Sequence, residues 1–429
     1  MPALANGRYP AASQIAFDRV DPNHLVVSAT IGLLESRDRG KTFGWRCESI
    51  LGSPGNQDVL VVVTANGSTL AATPSGLLRS TDGCTFASAP ELTGETVRDI
   101  AQNRSLPHQV VGVELASDNG KVSSRLLRSD DDGQSWSAIG AALPGDLLPL
   151  TIDVAPSDGA RVYLSARLGA AGDFASVLLR STDGGLTFES SDIPETSGSR
   201  TAYIAAVHPL DPDRLYVRVY DTSGTRIWST SDAGRTFQKV FAATDQLYGF
   251  AISPDGAQIA FGGPSDGIWV GSSDGTGLMR RSDIAPTCLG WSADGLYACA
   301  DPKQVGFLLG RSGDTASTFE TLLTFDSLCG QTGCAPETPG GMLCPDDWQR
   351  VAPVVGTTCG TDAGIADSGP AHLADAGQGD EPAPLTPDVS TLRASGGGCE
   401  IARPGGGGII WSVLALLGLR RRAPRSAVT

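Results

Sequence analysis

Seven copies of a short motif run through the first three quarters of the chain. Ser129-Asp-Asp-Asp-Gly-Gln-Ser-Trp136 reads S-x-D-x-G-x-[ST]-[WF], and Ser181–Phe188 and Ser36–Phe43 read the same way. Thr230–Phe237 changes only the first hydroxyl residue. Ser80–Phe86 is one residue short, Ser312–Phe319 carries Ala316 in place of Gly, and Ser272–Thr276 is a worn copy without the aromatic. The central aspartates are Asp38, Asp82, Asp131, Asp183, Asp232, Asp274 and Asp314, spaced by 44, 49, 52, 49, 42 and 40 residues. A unit of that length cannot bury a core alone, so the copies must pack on one another.

Each motif closes a larger unit. An apolar run comes first (Ile152–Ala155), then a turn that often holds Asp-Pro (Asp21-Pro22, Asp211-Pro212). A second run follows (Arg161–Ala166), then a third (Val177–Arg180), the motif, and a fourth run starting at its aromatic. Short runs punctuated by Gly, Asp and Pro read as strands. Gly is 54 of 429 residues and charged residues are 18%, so turns are frequent and charged helical faces scarce. Four short strands per unit is the period of a propeller blade. The expected fold is all-β: a seven-bladed β-propeller over 13–325. The turn chemistry assigns all seven aspartates to structure. The carboxylate accepts backbone N–H groups across the hairpin between the third and fourth strands, the hydroxyls add local bonds, and Gly supplies a positive φ.

The motif resembles the Asp-box, or BNR repeat, of sialidases, sortilin-type receptors, xyloglucan hydrolases and a photosystem II assembly factor, over about residues 14–324. That resemblance implies the propeller fold with its turns at the outer edge of each blade, and it does not choose a function.

The ends carry other signals. Residues 1–12 read as an N-terminal segment or leader remnant. Ala3-Leu4-Ala5 has the form of a signal-peptidase site, and the expectation is that a signal peptide is missing from this start. Residues 326–360 hold Cys329, Cys334, Cys344 and Cys359 without a paired C-x2-C spacing or an interleaved His, so two disulfides among these four are expected, not zinc. Cys288 and Cys299 flank a hairpin turn symmetrically and are expected to pair. Residues 361–398, rich in Ala, Asp, Gly and Pro, read as a flexible linker. In 399–425, Cys399 is followed by glycines, an apolar run Ile409–Leu419, and Arg420, Arg421 and Arg422. An apolar stretch too short for a durable span, closed by arginines, reads as a sorting helix stopped at a membrane face. It resembles the MYXO-CTERM tail of myxobacterial surface proteins. That resemblance implies cutting by a sorting protease of the cell envelope and attachment through Cys399 at the cell surface or outer membrane. The membrane is then met only through the tail or the Cys anchor. Removing Cys399 from nine cysteines leaves eight, an even number suited to an oxidising compartment.

The whole chain carries −15; five Arg against Glu400 after Gly398 leave −19 on the first 398 residues, which argues against nucleic acid as a partner. No catalytic, cofactor or metal residues are assigned. Arg79, Arg128 and Arg180 hold one repeat position in different blades and read as structural. The four His (24, 108, 208 and 372) do not cluster in sequence. Asp58, Asp99 and Asp153 lie near first-strand ends, where a glycosidase would need two carboxylates facing across a cleft. The expected function is an exported, surface-anchored module that binds a glycan or protein partner without catalysis. The alternative is a secreted glycoside hydrolase or lyase related to sialidases or xyloglucanases.

Overall fold

The computed structural model describes residues 10–357 apart from 53–58, 74–75, 93–94, 119–120, 170–173, 199 and 331–332. The linker and the tail, with Cys359, Cys399, Arg420, Arg421 and Arg422, lie outside the described residues, as does nearly all of the N-terminal segment.

Seven four-stranded antiparallel sheets follow one another along the chain, each built from four consecutive strands. Blade 1 runs from Ala12–Phe17 to Gly44–Cys47, blade 2 from Leu60–Val63 to Ala87–Ser88, and blade 3 from Thr96–Gln102 to Ser137–Ile139. Blade 4 runs from Leu147–Val154 to Glu189–Ser197, blade 5 from Thr201–Val207 to Gln238–Ala242, and blade 6 from Gly249–Ile252 to Met279–Ser282. Blade 7 runs from Cys288–Ser292 to Glu320–Leu323. First strands pack on first strands around the axis, and blade 7 packs on blade 1, so the ring is a closed seven-bladed β-propeller. Second strands such as Leu25–Ala29 are buried along their whole length, because neighbouring blades cover both faces. Fourth strands such as Gln238–Ala242 form the exposed rim, whereas Gly44–Cys47 of blade 1 is largely buried.

The repeated motif forms the hairpin between third and fourth strands. In blade 4, Ser181 Oγ donates to Asp183 Oδ1 (2.7 Å) and accepts from Gly185 N (2.9 Å). Asp183 then accepts from Thr187 N (2.9 Å) and Thr187 Oγ1 (2.6 Å). The same bonds recur around Asp38, Asp131, Asp232 and Asp314. Two residues in a row take positive φ, such as Asp132 (58°) and Gly133 (81°). The second of them faces the preceding blade. A Cβ on Gly133 would lie 2.6 Å from Leu70 Cδ2, and one on Gly234 would lie 2.4 Å from Leu178 Cδ2. Glycine is therefore needed for contact as well as for φ. Blade 7 departs from this: Ala316 sits at φ 70° and is fully buried, its methyl joining the apolar cluster of Val270 and Leu296. Of the aromatics that end the motifs, Trp136 is buried, its Nε1 donating to Gly133 O (3.2 Å).

Side chains also tie several first strands to their neighbours. Gln14 exchanges two bonds with the Val61 backbone (3.0 and 2.9 Å), Thr151 Oγ1 accepts from Ile204 N (3.0 Å), and Thr287 Oγ1 donates to Ala12 O (2.6 Å) across the seam. No strand is shared between blades 1 and 7, so the seam relies on packing such as the Phe17–Tyr297 edge contact at 5.1 Å.

The Cys-rich segment corrects the sequence reading. Two of its cysteines, Cys334 and Cys344, reach back across the seam instead of pairing within the segment. Cys344 bonds Cys47 of blade 1, and Cys334 bonds Cys84 in the blade 2 turn, across sequence separations of 297 and 250. Cys329 is also disulfide-bonded. Spacing within the segment could not reveal this, because ring closure is what brings blades 1 and 2 beside the end of blade 7. The helix Pro339–Val355 starts on a Thr338 cap (Gly341 N to Thr338 Oγ1, 3.1 Å) and lays Trp348 on Trp45, ring centroids 5.0 Å apart. Gly340 N donates to Cys84 O (2.9 Å). The Cys288–Cys299 pair is formed, and the two residues face each other in register as the hairpin symmetry predicts.

Two expected outcomes follow from this architecture. In Asp183→Ala, the melting temperature should fall by a few degrees, and Asp274→Ala, in the shorter Ser272–Thr276 turn, should cost less. The Thr187 hydroxyl and amide hold the Asp183 carboxyl down at about 2, below its ordinary 3.8. Its contribution is therefore complete above about pH 4 and lost as pH falls through about 2. Calorimetry from pH 5 to 2 should show the Asp183→Ala deficit shrinking; a deficit unchanged at pH 2 would remove the carboxylate as its source. Separately, Cys47→Ser/Cys344→Ser should melt well below the parent chain. Loops this long place a disulfide at the upper end of the ~0–5 kcal/mol range. Equal melting temperatures would show that the Cys47–Cys344 bond is not needed to hold the ring closed.

Candidate functional site at the mouths of the central channel

First strands and the loops that flank them line the axis. At the mouth formed by the loops between first and second strands, Arg19 of blade 1, Arg104 of blade 3 and Asp153 of blade 4 come within electrostatic reach. Both guanidinia are open to solvent, yet the walls of the ring desolvate them in part. That desolvation and the Arg104 charge lower Arg19 to about 9, with Asp153 opposing.

Two of the carboxylates singled out from sequence, Asp99 and Asp153, sit on adjacent first strands. Both are committed to backbone. Asp99 accepts from Ile100 N (3.0 Å) and, across the blade boundary, from Ile152 N (2.8 Å). Asp153 accepts from Val154 N (2.8 Å). Burial pushes Asp99 up to about 7, with the Asp153 charge adding to it while the two amides oppose. Burial also raises Asp153, against the pull of Arg104. Asp58 lies outside the described residues.

The opposite mouth carries a cluster the sequence reading missed. Tyr203 faces Arg218 in the register of blade 5, and Thr201 faces Tyr220, so all four side chains share one face of that sheet. The two tyrosines stack with centroids 5.3 Å apart and their hydroxyls bond at 3.2 Å. Arg167, from the second strand of blade 4 (Val162–Leu168), donates through Nε to Thr201 Oγ1 (3.0 Å) and lies over the Phe174 ring at 5.6 Å. Arg218 Nη1 donates to Leu247 O (2.8 Å) and Tyr248 O (2.9 Å). Arg98, on the first strand of blade 3, lies within electrostatic reach of Arg167, Tyr203 and Tyr220. Burial lowers Arg98 and Arg218, the tyrosines opposing; at Arg98 the Asp99 charge also opposes and the Arg167 charge adds to the lowering. The available signal was a charged residue inside an apolar run, as in Leu215-Tyr-Val-Arg-Val-Tyr220.

The remaining sequence candidates scatter. Arg79 donates to Asp132 O (2.9 Å) of the next blade, Arg128 to Asp130 (3.0 Å), and Arg180 to Ala233 O (3.4 Å) of the next blade. His24 is buried between Asp18 and Glu35, 3.1 Å from each. Burial would push the Glu35 carboxyl up, but His24, Arg46 and Arg37 bring it down to about 2. His108 pairs with Asp132 (2.7 Å), His208 meets Gly256 O (2.9 Å), and His372 lies outside the described residues. Among the described residues no three His, Cys, Asp or Glu converge as a metal site. A cleft of about 360 Å³ between blades 6 and 7, lined by Gln258, Met279, Arg281 and Thr315 among others, lies at the outer strands, away from the axis. Among the described residues no helix is long and apolar enough to cross a membrane.

No family model matches the chain, and no curated protein matches it. Solved structures do. An ancestral GH74 enzyme is 14% identical with a TM-score of 0.53, over 74% of this chain and 47% of its own. The likeness is one of fold. The chain thus spans about half the length of that enzyme. The GH74 xyloglucanase of Xanthomonas campestris is 13% identical over 72% of this chain and 69% of its own, TM-score 0.28. An oligogalacturonate lyase of Vibrio parahaemolyticus is 10% identical over 68% and 88%, TM-score 0.44.

The buried carboxyl generates a prediction. A folded-state pKa of about 7 against an ordinary 3.8 means the folded chain holds the Asp99 proton more tightly. Stability from this group should fall as pH rises from about 4 to about 7, by at most on the order of 4 kcal/mol. Asp99→Asn removes the titration and orphans one backbone donor. Its melting temperature should be lower at pH 5 and should change less between pH 5 and 8 than the parent's. Parallel curves for the two proteins would refute the assignment.

Proposed function

We propose that the chain is an exported propeller, anchored at the cell surface through its C-terminal tail, that binds a glycan or protein partner without turning it over. The observation that carries this reading is the division of labour at the axis. Asp99 and Asp153 hold the first strands together, while the opposite mouth offers arginine and tyrosine donors. The oxidised pairs Cys47–Cys344, Cys84–Cys334 and Cys288–Cys299 support an oxidising compartment. The turns built on Asp38, Asp82, Asp131, Asp183, Asp232, Asp274 and Asp314 behave as Asp-box turns would, and support membership of that broad propeller class. Cys399 with Arg420–Arg422 supports the MYXO-CTERM reading and, with it, a sorting protease as a processing partner.

A second reading, a glycosidase-like enzyme, draws on one observation. The Asp99 carboxyl, raised to about 7, falls in the range of a general acid, and Asp153 is its neighbour. The commitment of Asp99 to two amides weighs against it.

A glycan array run beside a glycosidase panel tests the choice: retention of a glycan without product is the expected result. Product formation abolished by Asp99→Asn or Asp153→Asn would establish the enzyme reading instead. For the anchor, Cys399→Ser should shift the protein from the surface fraction to the medium with its fold intact. Equal surface retention, with the arginine triplet still attached, would sink the sorting-tail proposal.

A further inference from the structure

The cluster of Arg98, Arg167, Arg218, Tyr203 and Tyr220 poses a physical problem. Three half-buried guanidinia share one locus, and among the described residues none of the three is in a salt bridge. Elsewhere in the same blade arginines are paired: Arg200 with Asp221, and Arg226 with Glu195. The chain carries −15 overall, so carboxylates are not in short supply. Arg98 Nε is buried with no protein partner. Arg218 commits only Nη1, to two carbonyls, and Arg167 is held by Thr201 and the Phe174 ring. Unpaired cations at this depth cost stability, and their convergence is stabilising only when an anion joins them.

We infer that this mouth of the channel binds the carboxylate of a small acidic ligand, such as a uronate sugar, with the guanidinium forks as charge-assisted donors and the tyrosine hydroxyls beside them. The inference rests on the binding reading above and names its ligand class. Planar guanidinia match a planar carboxylate through paired N–H donors. Phosphate is more often cradled by a helix N-terminus or a nest of backbone amides, and this cluster sits on strands. Nucleic acid is disfavoured by the charge of the body.

The test uses the chain as it is exported and three sugars that differ in one group: D-glucuronate, D-glucose and D-glucose 6-phosphate. Calorimetric titration should give saturable binding of glucuronate alone, salt-sensitive and accompanied by a rise in melting temperature. Arg98→Gln should weaken it about tenfold to a hundredfold, the loss expected for a charge-assisted bond. Because Arg98 Nε has no protein partner, the same variant without ligand should melt at or above the parent temperature. That pattern separates a binding role from a structural one. Arg218→Gln, which keeps an N–H for the carbonyls, provides a second variant. Tighter binding of glucose 6-phosphate would overturn the carboxylate assignment, and glucuronate binding unchanged in both variants would overturn the site. If a glycan is retained equally by parent and Arg98→Gln, this inference fails and the binding reading stands. If the parent retains nothing on any array, the reading itself fails.

Discussion

The interlock between blades depends on one small contact: the second left-handed residue of the full-length motif turns, pressed against a side chain of the blade before it. At Gly133 and Gly234 there is no room for a Cβ. The aspartate and the hydroxyls hold the backbone in the conformation that makes this approach, so the hydrogen-bond network serves packing between sheets more than the hairpin itself. Blade 7 shows the tolerance of the device. Ala316 keeps the positive φ and fills its space with a methyl group. Around the axis a second set of contacts, Gln14, Asp99, Thr151 and Thr287, repeats the principle with side chains reaching the next backbone.

The two mouths of the channel differ in how their charges are compensated. On one side the buried Asp99 and the half-buried Asp153 have amides of the inner strands as partners. Arg19 and Arg104 lie within electrostatic reach of Asp153 and offset its charge in part. On the other side the cations of blades 3, 4 and 5 converge without a salt bridge among the described residues, and Asp99 acts on Arg98 from the neighbouring position of its strand. A propeller presents loops from every blade to a shared axis, so residues far apart in sequence can build such a locus while the repeats continue to close the ring.

The blades were legible because the turn needs the same chemistry each time, and the spacing of the aspartates carries that need into the sequence. The hairpin symmetry about Ser292–Gly295 likewise exposed the Cys288–Cys299 pair, a local contact. What was not legible depends on closure. Cys47 and Cys84 meet Cys344 and Cys334 only because the ring returns the end of the chain to its beginning, and no local pattern encodes a separation of 250 or 297 residues. Arg98, Arg167 and Arg218 occupy unrelated positions on a first strand and two second strands, so the repeat hid them. Asp99 and Asp153 stood out as acids near the axis, but only the coordinates reveal that amides occupy them.

The disulfide-bonded segment after blade 7 also determines how the molecule bears load. A pull applied to the helix Pro339–Val355 passes through the Cys47–Cys344 bond directly into blade 1. A pull on the stretch between blade 7 and Cys334 is likewise shunted through Cys84 to blade 2. The blades between are bypassed, like the slack part of a rope between two knots. Load entering by that helix would thus fall on a covalent bond and on blade 1, and the cluster in blades 3, 4 and 5 would keep its shape while the segment after blade 7 is being tugged.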